Sequence, residues 1–188
     1  MTSAHDWLKG STAAAHRRVD EAFSGFALDD AASYRSFLVA HAFALLPIEA
    51  WLEGRAEAVL PDWRARARSE ALKSDLQKLD ATATAGEAFE AADDPASIAG
   101  VVYVLEGSRI GGNILAKRVP AWLPKSYLSS PCDARTWRGA LSRFDEIICD
   151  AAARAASAKA ALSAFERFER AALSAPFHEG GQSVVHVD

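Results

Sequence analysis

The stretch Val101–Lys117, VVYVLEGSRIGGNILAK, places the tightest constraint on the fold. Val101, Val102, Val104, Leu105, Ile110, Ile114 and Leu115 have the composition of a buried helix, yet Gly107, Gly111 and Gly112 interrupt it. Each glycine in a helix interior costs about 1 kcal/mol relative to alanine. Something must therefore require bare backbone there. Gly107 and Gly111 are four residues apart and share a face. Two accounts fit. Either this is a close helix crossing or a fraying helix end, or it is a kinked helix that lets a planar ligand approach its backbone.

The rest of the chain reads as helical. A chain of 188 residues suits one domain, and hydrophobic residues make up 50% of it, much of that alanine. The first helix is expected from Ser3 to about Phe23, capped by Thr2 or Ser3, with Leu8, Thr12, Ala15, His16, Val19 and Phe23 on one buried face. A second helix starts at Asp29 or Asp30, turns Tyr34, Phe37, Leu38, His41, Leu45 and Ile48 inward, and should bend or break at Pro47. A third runs from about Pro61–Asp62 through Leu72, Leu76 and Leu79. Asp80–Asp94 reads as a loop with a short turn near Glu87–Ala91. Asp94–Pro95 then launches the glycine-containing helix, which should run to Pro120. Trp137, Leu141, Phe144 and Ile148 mark a further helix. Asp150 could cap a last one bearing Phe165, Phe168 and Leu173 on one side. The expectation is an all-α single domain of five to seven helices, with a core at about 3–175 and a loosely held tail at 176–188.

Composition excludes several classes. The formal net charge is −4, so the chain carries no overall basic footprint for nucleic acid. Arg64, Arg66 and Arg68 cannot all share one helical face and read as a solvated surface. The start, MTSAHDWLKG, lacks the apolar core of a signal peptide, and the apolar tract Phe37–Leu52 is short and interrupted by His41, Pro47 and Glu49. A cytoplasmic location without membrane insertion is expected. Cys132 and Cys149 form no paired metal or redox motif and read as ordinary thiols in a reducing compartment. No G-x-S-x-G elbow, Glu-x-x-His pair or strand-borne glycine-rich loop is present. His5, His178 and His186 lie near the chain ends and are poor catalytic candidates. His16 and His41 sit on inner helix faces, where a hydrogen-bonded core role is the ordinary one. Asp20, a turn after His16, could hold its ring.

A haem would use both the inner histidine and the bare helix, since its iron takes an axial imidazole. LKGSTAAAHRRVDEAF at residues 8–23 resembles the opening helix of the haem oxygenases, LK-x-x-T-x-x-x-H followed by an acidic residue four further on. YVLEGSRIGG at 103–112 is similar to their distal helix, above all in bacterial members, and WRGAL and AFERFERAAL resemble their C-terminal helices. The likeness runs from Leu8 to about Leu173, with both motifs in order.

It implies His16 as the proximal iron ligand and Gly107, Gly111 and Gly112 as the backbone above the haem. It also implies Lys9 and Arg138 as partners of the propionates. The implied activity is conversion of haem, with O2 and electrons, to biliverdin, CO and ferrous iron. A ferredoxin or NAD(P)H-dependent reductase would be the external donor. Many members carry an aspartate directly after the first distal glycine, where it anchors water, although some bacterial ones lack it. This chain has Ser108, with Arg109 and Asn113 as candidate substitutes. That departure motivates an alternative, a haem or bilin carrier or sensor on the same fold. An all-α protein without a haem role is a third reading. The oligomeric state is not legible.

Overall fold

The computed structural model describes residues 2–131 and 134–175. Cys132, His178, His186 and the expected tail lie outside the described residues. The described residues form seven α-helices and no strand: α1 (Ala4–Ser24), α2 (Ala31–Leu52), α3 (Trp63–Arg66), α4 (Ser69–Gln77), α5 (Pro95–Leu115), α6 (Ala134–Ile147) and α7 (Ala151–Ser174). A short 3-10 turn at Ala56–Ala58 follows α2. The expected all-α architecture is observed.

Most helix starts are set by one side chain each. Ser3 Oγ accepts from the Asp6 N–H at 3.1 Å, and Asp30 Oδ1 from the Ser33 N–H at 2.8 Å. Asp94 Oδ1 takes the N–H groups of Ala96 and Ser97, both at 3.0 Å, with Pro95 in the first turn. Asp150 Oδ1 accepts from the Ala153 N–H at 2.8 Å, so Cys149–Asp150 does separate α6 from α7. Each cap satisfies donors that the helix leaves open.

Two expectations concerned helix breaks. Pro47 lies inside α2 and does not end it. Proline has no N–H for the carbonyl four residues earlier, that of Phe43. The Gly86 N–H, from the loop before α5, fills that place at 3.0 Å. A Cβ on Gly86 would come within 2.7 Å of the same oxygen, so this substitute bond needs glycine. The loop forms no helical turn at Glu87–Ala91. The expected third helix, conversely, is split, with Ala67 extended between α3 and α4. The buried Glu49 carboxylate of α2 causes the restart. It accepts from the N–H groups of Arg68 and Ser69, each at 2.8 Å, and from Ser69 Oγ at 2.6 Å.

The helices share one continuous core. α7 is its axis: α1, α5 and α2 all pack against it. α1 runs in the direction of α7, since Trp7 Nε1 donates to the Arg154 carbonyl at one end and Arg18 pairs with Glu169 at the other. α5 begins beside the start of α7, where Gly100 meets the Ser157 backbone. Phe165 and Phe168 of α7 are buried as expected, but Leu173 is exposed and Ala172 takes the inner position. From Phe165, a step of seven residues stays on the face and a step of eight leaves it. α2 is long and apolar enough to cross a membrane by length and composition alone, yet Tyr34, Phe37, Leu38, Leu45 and Ile48 bury it in this core.

Gly100 thus has the strictest packing requirement in α5, because a Cβ there would overlap the Ser157 carbonyl oxygen. Gly100→Ala should lower unfolding free energy by at least about 1–3 kcal/mol, the usual cost of overpacking, as measured by urea denaturation.

Candidate functional site

Gly107, Gly111 and Gly112 all lie within the unbroken helix α5, which ends at Leu115, short of the expected Pro120. They do not form one group. Gly112 packs on the Leu128 carbonyl, 3.1 Å from where its Cβ would be, and so serves a crossing. Beside Gly107 and Gly111 a Cβ would meet nothing within 4 Å. The neighbouring apolar side chains on that side are also uncovered: Ile110 is 43% and Ile114 60% exposed, against the expectation that both are core. Val101, Val102, Val104 and Leu105 are buried. The front of α5 in its second half is therefore an apolar, backbone-bare face that lacks a neighbour among the described residues.

α1 differs, because its apolar stripe is covered. Leu8, Thr12 and Ala15 are buried, but the expected burial of His16 is corrected, because its side chain is 61% exposed. The ring stands edge-on to Phe165 of α7 at 5.7 Å. Its Nδ1 lies 2.9 Å from Asp20 Oδ2, one turn on. A neutral imidazole that donates Nδ1–H to a carboxylate keeps its Nε2 lone pair free to accept or to ligate. Nε2 makes no hydrogen bond among the described residues. Lys9, two turns before His16, is exposed, as is Arg138 on α6. Neither forms an ion pair among the described residues.

The other histidines are occupied differently. His41 Nδ1 is 2.9 Å from the Phe37 carbonyl, and the ring packs among Phe23, Phe37, Tyr127 and Phe168. Burial drives its pKa down to about 4, the bond to Phe37 opposes that shift, and the Arg68 charge adds to it. His41 is a neutral core residue. His5 is not at a loose end: it lies in the first turn of α1, its ring 6.0 Å from Tyr103 and 5.9 Å from Trp137. No group of three or more potential metal ligands occurs among the described residues.

Behind the bare face, α5 is polar, with residues that sequence reasoning had assigned to solvent. Arg64 is solvated, 85% exposed and paired with Glu57, but Arg66 and Arg68 are not. Arg66 Nη1 pairs with Glu106 Oε2 at 2.6 Å, and Arg109 Nε with Glu106 Oε1 at 2.8 Å. Arg109 also donates to the Arg66 carbonyl. Arg68 Nη2 donates to Ser108 Oγ at 2.5 Å and to the Leu105 carbonyl at 3.1 Å. Asn113 Nδ2 donates to the carbonyls of Arg109 and Ser130, both at 2.9 Å. Arg109 and Asn113, the candidate substitutes for a water-anchoring aspartate, are thus committed to the protein. The spacing of Arg66 and Arg68 could not reveal this, because it depends on the helix break at Ala67.

No family model and no curated protein matches the chain. Among solved structures, a haem oxygenase from Neisseria meningitidis, solved with NO and CO bound, superposes with a TM-score of 0.77 at 20% identity. The alignment covers 92% of this chain and 91% of that one. A haem oxygenase from Leptospira interrogans gives 0.69 at 16% identity over 92% and 99% of the two chains. The fold is that of the haem oxygenases.

Two predictions rest on this geometry. Gly107→Ala or Gly111→Ala should raise the stability of the ligand-free protein by up to about 1 kcal/mol in urea denaturation, since each gains helix propensity and meets no neighbour. The His41 shift makes stability depend on pH. Its folded pKa of about 4 lies below the ordinary 6.5, so between those values the unfolded chain binds more protons. Stability should fall as pH drops from about 6.5 to about 4, by roughly 3 kcal/mol. His41→Gln should flatten that slope when urea midpoints are compared across this range.

Proposed function

We propose that this protein is a haem-degrading monooxygenase, converting haem with O2 and electrons from an external donor to biliverdin, CO and ferrous iron. The observation that supports it most is His16, an exposed imidazole at the edge of the buried face of α1, whose Nδ1 is held by Asp20 and whose Nε2 has no partner among the described residues. In a fold shared with haem oxygenases, that is the donor an iron porphyrin needs. The bare face of α5 suits the group as well. Gly107 and Gly111 let a flat ring come to backbone distance, and Ile110 and Ile114 gain an apolar neighbour.

In this reading His16 Nε2 holds the iron, and Asp20 fixes the tautomer and orientation of the ring. Gly107 and Gly111 would present bare backbone to the haem, and their lack of side chains would let the ring lie close to α5. Lys9 and Arg138 are free cations suited to the two propionates. Haem supplies the oxidative chemistry when bound; the chain supplies ligation, orientation and a shaped distal side. The described residues carry no nucleotide-binding motif, so a ferredoxin or an NAD(P)H-dependent reductase is the proposed electron source. A cytoplasmic location belongs to the same proposal.

One observation favours a second reading, a haem or bilin carrier. Ser108 Oγ is already engaged by Arg68 and by the Leu105 carbonyl, so it is not free to anchor water as an aspartate would. A single optical experiment decides. Haemin is titrated into the protein, then a reductase system or ascorbate is added in air with catalase present. Growth of a Soret band followed by its loss to a broad red bilin band is the expected result. A Soret complex that persists would mean a carrier, and no complex would overturn both readings. His16→Ala should abolish the histidine-ligated spectrum, and Asp20→Ala should weaken haem binding by about 10–100-fold, the usual effect of losing a ligand's supporting carboxylate.

A further inference from the structure

The polar back of α5 bears directly on the bare backbone at its front. Arg68 is 3% exposed, and its guanidinium lies over the Tyr127 ring at 5.1 Å. From there Nη2 reaches two groups on either side of Gly107, the Leu105 carbonyl and Ser108 Oγ. Ser108 Oγ in turn donates to the Leu105 carbonyl at 2.7 Å. Leu105 O, Ser108 Oγ and Arg68 Nη2 thus form a closed triangle of hydrogen bonds. It sits where the helix is intrinsically weakest, because Gly107 and Gly111 favour the unfolded chain and have no side chains to be gripped. Arg68 itself is anchored by its main chain, whose N–H is bound to the buried Glu49 carboxylate. A fixed guanidinium is therefore tied to the backbone of the least stable part of α5. Arg66 acts on the same helix less directly, through the Glu106 side chain, and shares its charge with Asp62 at the surface.

We propose that Arg68 is a positioning residue: it holds Leu105 and Ser108 from behind and so fixes the Gly107–Gly112 backbone in the geometry the ligand meets. Ser108 then has a defined task, to receive that grip, rather than being a failed aspartate. The consequence for a bound haem rests on the function proposed above. The positioning itself is a property of the ligand-free chain and can be read without haem.

The test is hydrogen–deuterium exchange on the haem-free protein, comparing wild type with Arg68→Met, Arg68→Lys and Ser108→Ala. Amides of residues 107–112 should exchange about tenfold faster or more in Arg68→Met, as expected for loss of a hydrogen bond from a charged donor. Those of α1 and α7 should not change. Arg68→Lys should fall between, because an ammonium can reach one acceptor but lacks the planar fork. Ser108→Ala removes only a hydroxyl; it should loosen the same segment and carries the test if Arg68→Met does not fold. The double variant should exchange less fast than the product of the two single effects, because both substitutions remove the same Arg68–Ser108 bond.

In the haem complexes, the C–O stretch of the ferrous CO form should shift or broaden in Arg68→Met and Ser108→Ala. Exchange in 107–112 equal to wild type, or a uniform rise throughout the chain, would overturn the proposal. Failure of the wild type to bind haem would instead overturn the functional reading and leave the exchange result standing.

Discussion

The close approach of α5 to α7 is the contact on which the rest of the arrangement depends. Gly100 lies directly on the Ser157 backbone, with no room for a side chain between the two helices. On the α7 side, Ala160, Ala161 and Ala164 continue the small, buried surface. α1 packs along the same helix, with the His16 ring against Phe165. The open histidine and the open glycines are therefore referred to one axis, and neither depends on a surface loop for its position. Rigid elements hold a site more closely than loops do, and here both sides of the candidate site are helices.

Burying charge behind α5 is costly unless every group finds a partner. Glu106, almost fully buried, meets this condition with Arg66 on one oxygen and Arg109 on the other. Glu49 meets it with main-chain donors, and in doing so creates the break between α3 and α4. Without that break Arg66 and Arg68 would be on a continuous helix and could not both reach α5. A carboxylate on α2 thus decides, through a helix start two elements away, which groups support the back of the glycine-bearing segment.

Much of this was legible in the sequence, for a physical reason. Helix starts are local: Ser3, Asp30, Asp94 and Asp150 each bond amides within three residues, so their caps can be read directly. What failed to be legible was long-range. Pro47 does not end α2 because an amide 39 residues later replaces its missing donor. Arg66 and Arg68 looked solvated because alternation with alanine suggested one continuous helix. Gly100 was passed over although it is the glycine with the strictest steric demand, since a lone glycine among apolar residues gives no hint of what it touches.

His16, Ile110 and Ile114 show a different limit. Periodicity correctly places each on an apolar face, but it cannot say whether that face meets protein or a ligand. In both cases the composition is the same, because the physical demand, exclusion of water from apolar surface, is the same. The distinction appears only as exposure in the folded chain. An imidazole with one nitrogen held and the other unpartnered, and two isoleucines beside two glycines uncovered among the described residues, are costly features for a surface and consistent ones for a cleft. All three occur in a chain with the haem oxygenase fold, and the proposed site rests on them together rather than on either motif alone.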